Sequence, residues 1–328
     1  MDWICENNML IENETKNLMQ KDGCLELKES CKEGYLVTPI IETTEFTEIT
    51  LSWNSKTNKD NSVEILIKLK IDGNWTPYIS YGIWATNGYN IGIKEHYDDD
   101  FVKATTDKIF IKNNKYANAV QLKVIFRGKN PRLSLLAFST DGGDDEPLAG
   151  NYLKIIDNVP MISQLASGHK DSNSICSPTS LTMILKYNGK LLDLEDVTNG
   201  TFDTGTKLYG NWPQNVAYAG EQGMRAYTKR CKSINTVKNF IAKGIPIVAS
   251  VCSQEKNQLE GAYSAFPHGH LMVVIGFQIK DNVEYIVVND PAAKSNDEVR
   301  KFYNLEQWIN VWRHYIYVVT KINKGDSW

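Results

Sequence analysis

From residue 35 to residue 140 the chain alternates apolar and polar positions at a period of two. Short runs carry the pattern: YLVTPII, FTEITLSW, VEILIKLKI, WTPYISYGIW, KIFIKN, AVQLKVIF and LSLLAFS, each rich in β-branched and aromatic residues. In the third run Ile65, Ile67, Leu69 and Ile71 share one side, and Glu64, Lys68 and Lys70 fall between them. A strand with one buried face reads this way. Turn residues separate the runs, among them Asp72-Gly73-Asn74 and Asn113-Asn114. With no helical pattern between them, they predict an antiparallel β-sandwich domain over 35–140. Residues 1–34 are polar and weakly amphipathic, which predicts a short helix or a mobile lead-in. The acidic, Gly- and Pro-containing stretch DGGDDEPLAGN at 141–151 is the expected linker.

After residue 152 the period changes. Leu181, Met183, Ile184, Leu185 and Tyr187 fall mostly at spacings of three and four, with Pro178 suited to a first helical turn and Gly189 to a stop. Further helices are expected at 213–222, 235–243 and 304–312, and strands at 246–252, in LMVVIGF, in VEYIVVND and in YIYVVTKI. Helices first and consecutive strands later predict an α+β domain over 152–328.

Length agrees with two domains, since 328 residues are long for one core. A net charge of -3 gives no reason to expect nucleic acid or an anionic membrane as partner, and no run of eighteen apolar residues occurs. The N-terminus lacks a basic and apolar secretory pattern, so the chain as given predicts a cytoplasmic protein; an extracellular or cell-wall location would require a trimmed sequence. Cys5, Cys24, Cys31, Cys176, Cys231 and Cys252 are dispersed, as free thiols are. No phosphate-loop, dinucleotide or HExxH motif is present, and no metal or organic cofactor is expected.

Cys176 is the residue with chemistry. It stands at the predicted start of a helix, where unpaired N–H groups and the helix dipole favour a thiolate. A thiolate nucleophile needs a base, and the base needs an orienting group. Of His96, His169, His268, His270 and His314, His270 sits at the mouth of the apolar strand LMVVIGF after Gly269, with His268 as the competing choice. The turn at Asp281-Asn282 makes an antiparallel hairpin, which brings the end of VEYIVVND beside the start of the histidine strand. Asp290, or Asn289 in its stead, can then orient the imidazole. Gln164, a side-chain amide upstream of the cysteine, can join the helix-start N–H in holding an oxyanion.

Gln164, the CSPTS motif at Cys176, His270 before its apolar strand and Asn289-Asp290-Pro291 together resemble the bacteriocin-processing (double-glycine) peptidase-like family of papain-like cysteine peptidases, most closely its soluble, transporter-free bacterial members. The resemblance covers about 155–320. It implies a papain-like fold and hydrolysis of a peptide or amide bond, with Cys176 as nucleophile, His270 as general base then acid, Asp290 as orienting residue and Gln164 in the oxyanion hole. Where the family usually has glycine after the cysteine this chain has Ser177, which is expected to bear on the approach of the substrate backbone. The β-rich part is similar to the domain preceding the peptidase in some relatives.

Other readings stay open at this point. On the same fold the substrate could be a cell-wall-derived peptide, met by an amidase or acyltransferase. A non-catalytic protein binding glycan or protein is the third reading, with Trp53, Trp75, Tyr78, Tyr81 and Trp84 either a sugar platform or core. Asn211 and Trp212 either line a substrate cleft or cap and pack a helix. His268 and His270 lack a predictable third metal ligand. The oligomeric state is not legible in the sequence.

Overall fold

The computed structural model describes residues 1–85, 91–92 and 97–322, so His96 lies outside the described residues. The chain divides into two compact units. One comprises Met1–Asp144 with Gly200–Lys229; the other comprises Asp145–Asn199 with Arg230–Thr320.

The first unit is a sandwich of two antiparallel sheets. One runs in the order Val102–Ala104, Ile109–Ile111, Glu48–Lys56, Arg132–Thr140, Cys24–Leu27, Leu18–Lys21, with Asp2–Glu6 also paired to Arg132–Thr140. The other centres on Asn61–Ile71 and Ala117–Gly128. The period-two pattern does what it implies: Val63, Ile65, Ile67 and Leu69 are fully buried, and the residues between them are half-exposed. Of the five aromatic residues named above, Trp53, Tyr81 and Trp84 belong to the core, Trp53 and Tyr81 meeting edge-on at 6.4 Å. Trp75 and Tyr78 stay half-exposed on the outer face with Lys68 between them. The five are therefore not one platform.

Residues 1–34 differ from the expected helix or mobile lead-in. Apart from a single 3-10 turn, Asn7–Glu12, they supply strands to both sheets. Trp3 stacks on Phe138 at 5.5 Å, and Cys5, Leu10, Leu18 and Leu25 are buried. The local signal is Asp22-Gly23, which adopts positive φ at both residues (49° and 73°) and closes a hairpin between Leu18–Lys21 and Cys24–Leu27. Asp2–Glu6, Glu14–Lys16 and Leu18–Lys21 are short and partly solvated, so their composition is polar, whereas Cys24–Leu27 is buried throughout.

Residues 200–229 cluster with the β unit although they lie within the stretch expected as the α+β domain. The helix Trp212–Glu221 packs on Glu48–Lys56. The Asn54 amide brackets the backbone of Ala226, donating to its O at 2.7 Å and accepting from its N at 3.0 Å. Trp84 Nε1 donates to Glu221 at 2.6 Å.

The second unit is α+β. Its antiparallel strands follow the order Trp312–Lys321, Ile247–Ser253, Phe266–Lys280, Val283–Asn289, Arg300–Asn304. The helix Cys176–Tyr187 lies on Phe266–Lys280 and Ile247–Ser253. Polar side chains fix its rotation: Ser180 donates to Leu271 O at 3.0 Å, and Ser177 shares a hydrogen bond with the Tyr317 hydroxyl at 3.0 Å.

Candidate active site

Cys176 is the first residue of its helix, and Ile175 before it offers no side-chain cap. In the first turn the Ser177 backbone N–H is among the groups that favour the thiolate. On the neighbouring strand Val251 pairs with His270, and in the next pair Val273 meets Asn289, which carries Asp290 to within two residues of the histidine on the adjacent strand.

His270 Nε2–H donates to Asp290 Oδ1 at 2.7 Å, and both side chains are buried. With Nε2 committed to Asp290, Nδ1 is the ring nitrogen left to interact with the Cys176 thiol. Burial resists charge on the imidazole, but the Asp290 carboxylate and its hydrogen bond, then Cys176, outweigh it and raise its pKa from 6.5 to about 10. Burial likewise resists the thiolate; the hydrogen bond and charge of His270, with backbone N–H groups, win and hold the Cys176 pKa below the usual thiol value. The two shifts together favour a thiolate–imidazolium pair. The Phe266 ring stacks on the imidazole at 4.1 Å and 10°, covering one face of the pair.

Asp290, not Asn289, meets the imidazole. Its Oδ1 also accepts Ala292 N–H at 2.9 Å, and Oδ2 accepts the Tyr303 hydroxyl at 2.9 Å. Asn289 turns the other way and donates to Val159 O (3.3 Å) and Pro160 O (3.1 Å). Gln164 is buried, pinned by its backbone N–H to Pro291 O at 2.8 Å, and its Oε1 has no partner among the described residues. Gln164, Cys176 and His270 line one open cleft of about 430 Å³, with Tyr263, His268 and Lys294 on its walls. Gly269 turns the strand with φ of 98°, and a Cβ there would meet the Arg313 guanidinium at 3.2 Å.

The other described histidines lie elsewhere in the site or away from it. His268 is exposed on the cleft wall; His169 Nδ1 accepts Asp171 N–H at 3.0 Å; His314 stacks on Trp312 at 4.5 Å.

Three expected substrate contacts take other places. The Ser177 side chain is fully buried and shares a hydrogen bond with Tyr317, because the first helical turn directs it into the core. Asn211 caps the helix Trp212–Glu221, accepting Gln214 N–H at 3.4 Å and donating to Asp203 Oδ2 at 2.7 Å. Trp212 is buried, and its backbone N–H donates to Asp107 Oδ1 at 2.8 Å. Neither residue lines the cleft. Tyr303, Phe266 and Tyr263 were not foreseen. Phe266 had a faint signal, an apolar residue four before His270 and so on the same strand face.

Residues 156–319, half of the 328-residue chain, match the family model described as "Peptidase_C39 like family". The chain belongs to the peptidase C39-like family. Residues 5–140 match the model of the peptidase C39 N-terminal domain. A member of this family is a cysteine peptidase-like hydrolase, here a β-rich domain followed by an α+β peptidase domain. No curated protein matches the chain.

Solved structures similar to the C39-like chain include the peptidase domain of Streptococcus ComA, a bi-functional ABC transporter of a quorum-sensing pathway (14% identity, 50% of this chain and 100% of that one, TM-score 0.37). A Bacillus anthracis protein described as a C39-like peptidase is similar at 20% identity (52% and 98% covered, TM-score 0.38). A double-glycine-motif protease of an AMS/PCAT transporter, solved with the leader peptide, is similar at 19% identity (55% and 100% covered, TM-score 0.36). Among the described residues no helix is long and apolar enough to cross a membrane.

Proposed function

We propose that this C39-like protein hydrolyses a peptide or amide bond through Cys176, His270 and Asp290, with Gln164 in the oxyanion hole. The observation that carries the reading is the buried His270–Asp290 pair, joined at 2.7 Å, with His270 and the Cys176 thiol lining the same cleft.

In the first half-reaction the thiolate adds to the carbonyl carbon, and the carbonyl π electrons move to oxygen. The Gln164 amide and the backbone N–H at the helix start stabilise that oxyanion. As it collapses, the C–N bond breaks and the leaving amine takes the imidazolium proton. In the second half, water adds to the thioester while the now neutral imidazole accepts its proton. Collapse expels the thiolate, the carboxylic acid product departs and the imidazolium is restored beside it. Asp290 keeps the ring oriented and charged in the first half and steadies the charge that re-forms in the second.

A peptide-library digest tests the reading. Wild type is expected to give discrete cleavages, and Cys176→Ala at the same folded concentration none. Equal cleavage by the variant would mean that another group is the nucleophile.

A further inference from the structure

We propose that Tyr303 is a positioning residue of this reaction: its hydroxyl, donating to Asp290 Oδ2 at 2.9 Å, holds the carboxylate in the orientation in which Oδ1 meets His270. The inference rests on the peptidase reading above.

A carboxylate turns easily about its terminal torsion, which is broad rather than staggered. One oxygen of Asp290 is fixed by His270 Nε2–H and Ala292 N–H, at 2.7 and 2.9 Å. For the other, Tyr303 is the donor at hand. The phenol is suited to the task because it is itself immobile. It is fully buried, its ring stacks with Trp308 at 6.1 Å, and its strand, Arg300–Asn304, pairs with the strand leading to Asp290 in the register Ile286↔Tyr303. Burial, followed by the Asp290 charge, pushes its pKa up, so the oxygen keeps its proton and stays a donor.

A tyrosine that merely fills the core would leave the chemistry of Cys176 alone when its oxygen is removed. A positioning residue would not. Once the carboxylate is free to swing, it supports the imidazolium less, and the thiolate then loses part of its counter-charge.

The experiment uses Tyr303→Phe, Asp290→Ala and the double variant in the full chain. The rate of Cys176 alkylation by iodoacetamide is followed against pH, with peptide hydrolysis measured beside it. In Tyr303→Phe the half-point of thiol reactivity is expected to rise by about half to one pH unit, and kcat to fall about tenfold at unchanged KM. Adding Tyr303→Phe to Asp290→Ala is expected to change neither, since the hydroxyl acts only through that carboxylate. An alkylation profile of Tyr303→Phe that overlays the wild type, or an equal shift in the Asp290→Ala background, overturns the proposal. Should wild type hydrolyse no peptide, the peptidase reading fails while the alkylation profiles still report on Tyr303. If the Phe variant does not fold, NMR of the other proteins decides: a slowly exchanging tyrosine hydroxyl proton present in wild type and lost in Asp290→Ala supports the proposal, and its persistence in Asp290→Ala overturns it.

Discussion

Replacing Asp290 by asparagine removes one charge from beneath the imidazole and keeps the volume of the side chain. The imidazole is held charged from its ordinary 6.5 up to about 10, which at about 1.4 kcal/mol per pH unit is roughly 5 kcal/mol in favour of the imidazolium. Asp290 supplies the leading favourable causes and Cys176 the remainder. An opposite charge at hydrogen-bond distance is worth about one to three pH units to a titrating group, so losing this one is expected to lower the population of the thiolate–imidazolium pair by about tenfold or more. Cys176 alkylation by iodoacetamide at pH 6 is therefore expected to slow by about 10- to 100-fold in Asp290→Asn, and the half-point of thiol reactivity to rise by about one to two pH units. The sign follows from the coupling: a weaker imidazolium stabilises the thiolate less, so the thiol titrates at higher pH. A profile coincident with the wild type would refute the claim that this carboxylate sets the charge of the pair.

Gln164→Ala is expected to lower kcat by about 10²–10³-fold and to leave the alkylation profile in place, because the amide acts on the oxyanion and not on the thiol; a displaced profile would contradict that division. Asn211→Ala removes a helix cap and is expected to cost about 1 kcal/mol in a denaturant titration with hydrolysis per folded molecule unchanged. A loss of hydrolysis there would return Asn211 to the substrate cleft. Gly269→Ala places a Cβ at a φ of 98° and within 3.2 Å of Arg313. The strain is expected to destabilise the fold by about 1–2 kcal/mol and to lower Cys176 reactivity through the displaced His270 strand. An unaltered midpoint would show that the turn relaxes without strain.

The chemistry was legible where it rests on local pattern. A proline-opened amphipathic helix put Cys176 at an N-terminus, and a hairpin turn put Asp290 near His270, because antiparallel pairing converts sequence distance into register. The choice of Asp290 over Asn289 needed the direction in which each side chain leaves the strand end. Tyr303 had no local signal at all: its place beside Asp290 depends on Arg300–Asn304 pairing with Val283–Asn289, a choice of neighbour that no pattern within either strand contains. The same holds for Asn54, whose amide brackets Ala226 from 172 positions away in the sequence. In the N-terminal residues the polar bias misled. Partial exposure of short strands produces that bias as readily as a mobile chain does, and the Asp22-Gly23 turn was the feature that separated the two.

The central claim is that Cys176 carries the acyl group during hydrolysis. Acid-quenching the full-length protein during turnover of an activated peptide ester, followed by peptide mass spectrometry, reads this directly. The account predicts the acyl mass on the peptide containing Cys176 and none in Cys176→Ala. Continued hydrolysis with no acyl adduct at Cys176, or with the adduct on another residue, would contradict it.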